Sequence, residues 1–244
     1  MDERRYPEVL AAGECAVLIV FGDRYSLSVN NAVLAFDAEI RTDPFDGLDE
    51  TVPGIASLQL RFDPLAVDPK RVEAWCRRKL ETRDWYSARI NRTANSWVFP
   101  TVYGGDSGPE LAEVADKAGL REDQVIDAHS GAHLRVVMLG FTPGTAYLAE
   151  LPGEFDIARR KSITPSVPSG SILIAMRQTV LPGCPIPTGW SVIGRTKIET
   201  FRPGERNPFL LSPGDSVRFE AIRESDAGSV DLERFWNRRG DGVS

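Results

Sequence analysis

Apolar and polar positions follow two rhythms along this chain, and the change between them falls near residue 92. In the first stretch, "CAVLIVFGD" (15–23) is a short β-rich run ending in Gly-Asp, and "YSLSVNNAVLAFDAEIR" (25–41) carries apolar residues at helical spacing. "SLQLRFDP" (57–64) alternates apolar and polar and stops at Asp-Pro, the mark of a half-buried strand. "VDPKRVEAWCRRKLETRDW" (67–85) then places Asp68 before Pro69, the order expected of a helix cap followed by a proline at the first helical position. Val72, Trp75, Cys76 and Leu80 continue at helical spacing. Strand, helix, strand, helix predicts an α+β layer over residues 1–92.

Polar residues dominate 87–96, where a further strand is expected only over 89–91, and the rhythm changes after them. A glycine loop and two short helices (102–131) lead into short apolar runs separated by Pro/Gly turns: "LRVVMLGF", "GSILIAM", "WSVIGRT" and "GDSVRFEAI". That spacing predicts a mainly-β barrel or sandwich over 93–226, with a polar tail at 227–244. Pro213-Gly214 has the composition of a type II turn leading into the last of these strands.

Composition narrows the function. With 29 Lys+Arg against 35 Asp+Glu the net charge is -6, a field that repels phosphate backbones and argues against a general nucleic-acid binder. The helical pair around Ala118-Gly119-Leu120 has the outline of a helix-turn-helix, but its second helix offers Glu122, Asp123 and Asp127 where DNA needs donors and positive charge. Cys15, Cys76 and Cys184 are odd in number and widely spaced, which fits free thiols in a reducing compartment. The longest early apolar run, "AVLIVFG", is too short to span a bilayer, so the chain reads as cytoplasmic.

Candidate chemistry is sparse. His129 and His133 stand four apart, a metal-pair spacing, but Gly131 between them ends the helix and no third ligand is apparent, so no protein-bound metal is expected. "YGGDSGP" (103–109) opens a helix, with Pro109 at its first position, and its N–H groups suit an anion, although no GxxxxGK[ST] phosphate loop occurs. In "ARRK" (158–161) one arginine is placed to turn inward toward a carboxylate or phosphate. "RGD" at 239–241 lies in a charged tail and carries no reading.

Taken in order, "VYGGDSGPEL", "VIDAHS", "VVMLGFTPGTAYL", "ARRK…VPSGS", "RQT", "GWSVIGRT" and "LLSPGDSVRF" resemble the family of the 5-oxoprolinase B subunit. The same family is called allophanate hydrolase subunit 1, or the Kip-type inhibitor of a sporulation histidine kinase. "GECAVLIVFGD" and "SLQLRFDP" extend the resemblance to nearly the whole chain. It implies an N-terminal α+β domain followed by a mainly-β, cyclophilin-like barrel. It also implies a heteromeric complex with a C-subunit homologue and, as third member, an A-subunit homologue. That assembly uses ATP, with Mg as its counter-ion, to open 5-oxoproline to glutamate.

By motif position the resemblance implies His129 for proton transfer, and Tyr147 and Gln178 for hydrogen bonds to substrate. Arg160 and Arg195 fall to anion recognition, and the turn containing Gly140, Phe141, Pro143 and Gly144 becomes a backbone donor loop. Gln178 is expected to face the pocket and its neighbour Arg177 the surface or a partner. Departures concentrate in the same places. Thr145 stands for a phenylalanine, Ser162-Ile163-Thr164 for Thr-Pro-Arg, Met176-Arg177-Gln178 for Gly-Gly-Gln, and Val180-Leu181-Pro182-Gly183 for Gly-Ile-Tyr-Pro. Those changes keep two other readings open: a non-catalytic kinase-binding regulator, and a diverged paralogue acting on another small amide. Peptidyl-prolyl isomerisation rests on fold resemblance alone and is set aside.

Overall fold

A computed structural model describes residues 5–88 and 94–228. The chain divides into two compact units, 1–92 and 93–244. The strand expected at 89–91 and the tripeptide at 239–241 lie outside the described residues, as does the expected tail apart from Ala227 and Gly228.

In the first unit, β1 (Glu8–Ala11), β2 (Ala16–Val20), β3 (Leu48–Pro53) and β4 (Ser57–Phe62) form an antiparallel sheet in the order β1-β2-β4-β3. The helices α1 (Leu27–Thr42) and α2 (Pro69–Leu80), with Phe21, Val67 and Trp85 from the connecting segments, supply the rest of its core. Alternation in β2 and β4 turns Val17, Ile19, Leu58, Leu60 and Phe62 to one side, where they cluster with Val33, Phe36, Ile40, Val72 and Cys76. The cap of α2 is as read: the Asp68 carboxylate accepts from the Lys70 N–H at 3.0 Å, with Pro69 following. Burial pushes the Cys76 thiol up to about 12, which makes it a small core hydrophobe rather than a nucleophile.

The second unit closes a seven-stranded barrel in the order β10-β7-β6-β13-β5-β12-β9. Its strands are β5 (Ser96–Tyr103), β6 (Leu134–Leu139), β7 (Ala146–Ala149), β9 (Ser171–Ala175), β10 (Gln178–Leu181), β12 (Ser191–Thr196) and β13 (Ser216–Ala221). β8 (Thr164–Val167) and β11 (Ile186–Thr188) make a separate antiparallel pair. Helices α3 (Leu111–Ala118) and α4 (Glu122–Gly131) contribute Leu111, Val114 and Val125 to the barrel's core, which accounts for the helix-turn-helix outline as packing. The turn before β13 forms as expected, with Gly214 at φ 96° and the Asp215 N–H donating to the Ser212 carbonyl at 3.0 Å. Helix α3 begins at Leu111, not at Pro109: Glu110 precedes it in a non-helical conformation, and its carboxylate makes no cap hydrogen bond but accepts from the Val192 N–H at 2.8 Å.

Between β9 and β10 the hairpin turns on Met176 (φ 50°) and Arg177 (φ 59°), two left-handed residues where the related sequences are expected to carry glycines. A side chain in that conformation costs about 1–2 kcal/mol. Met176→Gly should therefore raise stability by about 1 kcal/mol, read as a higher urea midpoint at unchanged slope. An unchanged or lower midpoint would show that the turn carries no such strain.

Candidate functional site

Inside the barrel, the last turn of α4 presents His129 between β5 and β10. Its Nδ1 is 2.7 Å from the Tyr103 hydroxyl and its Nε2 is 3.0 Å from Thr179 Oγ1. The ring lies 4.8 Å from that of Phe219 and is wholly buried. Burial alone drives its pKa from 6.5 to about 3 and pushes the Tyr103 phenol up, so both groups are neutral at ordinary pH. With both nitrogens engaged and no exposed surface, His129 has no atom to offer a substrate. The expected proton-transfer role gives way to a structural one, tying α4 to two barrel strands. His133, by contrast, is exposed.

Strand register decides which side of the wall Gln178 occupies. Gln178 pairs with Ala149 of β7 and Ala175 of β9, and Val180 pairs with Tyr147 and Leu173. Cross-strand partners share a face, so Gln178 and Tyr147 are diagonal neighbours on the outside of the barrel. The residue that turns inward is Thr179, so the expectation that Gln178 points into the barrel is corrected. Arg177 does turn away: its Nε donates to the Leu151 carbonyl at 3.0 Å and its Nη1 pairs with Glu150 at 2.9 Å.

On that outer face Leu173, Val180 and Val192 cluster with Val167 of β8, Ile186 of β11 and Trp190. The Tyr147 ring meets Trp190 edge-on with centroids 6.2 Å apart, and the Arg159 guanidinium stands 5.1 Å from the Trp190 centroid. Partial burial raises the Tyr147 pKa, and the charge of Arg159 opposes that rise. Tyr147 thus stands part-buried on this apolar floor, with Gln178 as its diagonal neighbour and the charge of Arg159 within reach of its hydroxyl. The sequence reading missed Arg159, since nothing in "ARRK" distinguishes one arginine from the next.

Arg160 is the one that turns inward, and its carboxylate is the protein's own. Its Nη1 lies 3.0 Å from Glu110 Oε1, and its Nη2 donates to Thr164 Oγ1 at 2.7 Å and to the Trp190 carbonyl at 3.2 Å. Thr164 occupies the position of the missing family arginine. The 140–145 turn closes on itself, with Gly140 N–H donating to Thr145 O and Thr145 N–H to Thr142 O, both at 3.1 Å. A Cβ on Gly144 would lie 2.4 Å from that of Phe201, so this glycine serves close packing, while Phe141 projects into solvent at φ 72°. The turn stands at the Ala146 end of β7 and Gln178 pairs at the Ala149 end. Arg195, on β12, pairs with Val102 and Ser171, away from Tyr147. The expected residues therefore lie in several places rather than one pocket.

The glycine loop at 104–108 commits part of its backbone to internal hydrogen bonds. The Gly104 N–H donates to Ile193 O and the Gly108 N–H to Gly104 O, and the Glu110 carboxylate accepts from the Val192 N–H and pairs with Arg160 rather than capping α3. Among the described residues there is no group of three or more His, Cys, Asp or Glu placed to hold a metal, and no helix is long and apolar enough to cross a membrane.

Residues 7–211 match the family described as carboxyltransferase domain, subdomain C and D. The chain is 36% identical over 223 residues to the 5-oxoprolinase B subunit of Bacillus subtilis (strain 168), covering 88% of this chain and 92% of that protein. It is 36% identical over 180 residues to the protein of the same name from Escherichia coli O157:H7, covering 72% and 78%. Among solved structures, TTHA0988 superposes with a TM-score of 0.73 at 30% identity over 85% of this chain, which spans 40% of TTHA0988. The Kluyveromyces lactis urea carboxylase shares the fold at a TM-score of 0.73 and 16% identity, covering 95% of this chain and 23% of that protein.

Proposed function

The chain belongs to the carboxyltransferase domain, subdomain C and D, family, and from that premise we propose that it is the B subunit of a complex that uses ATP to open 5-oxoproline to glutamate. The observation that carries this reading is the 36% identity that runs through 88% of this chain and 92% of the Bacillus subtilis B subunit. ATP-dependence is assigned to the complex with the C and A subunits. A cytoplasmic setting follows from the same reading.

For a lactam to open, negative charge develops on its oxygen and needs donors or cations aimed at it. The side chains of Tyr147 and Gln178 have no hydrogen-bond partner among the described residues, and Arg159 supplies a positive charge beside them. These three are the groups proposed to hold substrate, with Arg159 in the role expected of Arg160. The altered 162–164 segment favours a second reading, a regulator that binds another protein: Ile163, Phe141 and Met176 are all exposed.

Co-expression with the C subunit followed by size-exclusion chromatography tests the assignment. A stable heteromer is expected, and two separately eluting proteins would refute it. Tyr147→Phe should shift stability by less than about 0.5 kcal/mol. Turnover of the assembled complex should fall about tenfold, equivalent to about 1.4 kcal/mol. Unchanged turnover would remove Tyr147 from the site.

A further inference from the structure

From Arg195 onward the burial of successive residues alternates: Arg195, Lys197 and Glu199 are exposed, while Thr196, Ile198 and Thr200 are buried. Residues two apart in an extended run share a side, so two cations and a carboxylate are presented in one row. They line a cavity of about 470 Å³ beside β5 and β12, a size that suits a small ligand. The far wall carries Glu224, from the turn after β13, and Val102 and Ile222 give an apolar surface between them.

None of these four charged side chains is in an ion pair or a side-chain hydrogen bond among the described residues. The pairs that do form in this unit, such as Arg160 with Glu110 and Arg177 with Glu150, lie elsewhere. Two positive and two negative groups around one cavity carry no net charge, so neither a simple anion nor a simple cation is favoured over the other. They complement a molecule that carries both signs a few ångströms apart.

We propose that this cavity binds a zwitterionic α-amino acid. The carboxylate faces Arg195 and Lys197, the ammonium faces Glu199 and Glu224, and the carbon side chain rests on Val102 and Ile222. The site is separate from Tyr147, Gln178 and Arg159, and the proposal does not depend on the activity assigned to the complex.

The test is made on the isolated full chain, so its failure is distinct from failure of the complex to assemble or turn over. Ligand-observed NMR with each of the twenty standard amino acids at millimolar concentration should find at least one that binds. For that amino acid, the analogue lacking the ammonium and the analogue lacking the carboxylate should each bind at least tenfold more weakly. Arg195→Ala and Glu199→Gln, both at exposed positions, should each weaken the amino acid at least tenfold while leaving the thermal midpoint unchanged. Absence of binding by all twenty would overturn the assignment. So would a des-ammonium analogue that binds as well as its parent, or binding that survives both substitutions.

Discussion

Glu110→Ala should destabilise the barrel unit by about 3–5 kcal/mol, the usual cost of leaving one member of a buried ion pair without its partner. The Glu110 and Arg160 side chains are only 17% and 13% exposed, so water replaces the lost contact only in part. The same carboxylate accepts from the Val192 N–H at 2.8 Å, and Arg160 also holds Thr164 and the Trp190 carbonyl. One substitution therefore loosens the start of α3, β12 and the segment before β8 together. The double variant Glu110→Ala/Arg160→Met should recover part of the loss, because it removes the uncompensated charge and keeps apolar volume. Urea unfolding of the two single variants and the double variant gives the coupling directly. A loss below about 1 kcal/mol would mean the pair is solvated and does not organise the site.

Acidification should expose the second large effect. The folded-state pKa of His129, about 3, lies below its ordinary 6.5, so the unfolded chain takes up a proton first as the pH falls. The contribution of neutral His129 is complete above pH 6.5 and is lost on the way down toward 3, at up to about 1.4 kcal/mol per pH unit. Between pH 6.5 and 5 that amounts to about 2 kcal/mol. His129→Leu will be less stable at neutral pH, since Tyr103 and Thr179 lose their partner, but it should lack this part of the slope. Because carboxylates titrate in both proteins, the difference between the two curves isolates His129. Parallel curves for wild type and variant would contradict a buried neutral imidazole.

Much of the architecture is written in local pattern. Asp68-Pro69 announces α2 because a short carboxylate and a fixed φ solve the problem of free N–H groups at a helix start. Pro213-Gly214 announces its turn for an equally local reason. Several strands escaped: β1, β5, β7 and β10 lie outside the runs singled out in the sequence, β3 is mostly polar at the sheet edge, and β8 and β11 are short and carry prolines at 165 and 187. The site was harder to read because its logic is not local. Whether Gln178 or Thr179 faces the lumen depends on where the hairpin at 176–177 turns, and a shift of one residue exchanges the faces. Arg159 and Arg160 differ only in what barrel closure brings opposite them, Trp190 for one and Glu110 for the other. His129 reads as a reactive group in sequence, and only the surrounding Tyr103, Thr179 and Phe219 show that it is taken up by the core.

The activity proposed for this chain turns on its membership of a working complex, and reconstitution measures that most directly. The chain is combined with homologues of the C and A subunits, and glutamate formation from 5-oxoproline is followed with and without ATP. Glutamate should appear only when all three proteins and ATP are present, and should stop when this chain alone is left out. A complete mixture that forms no glutamate, or one whose rate is unchanged without this chain, would contradict the assignment.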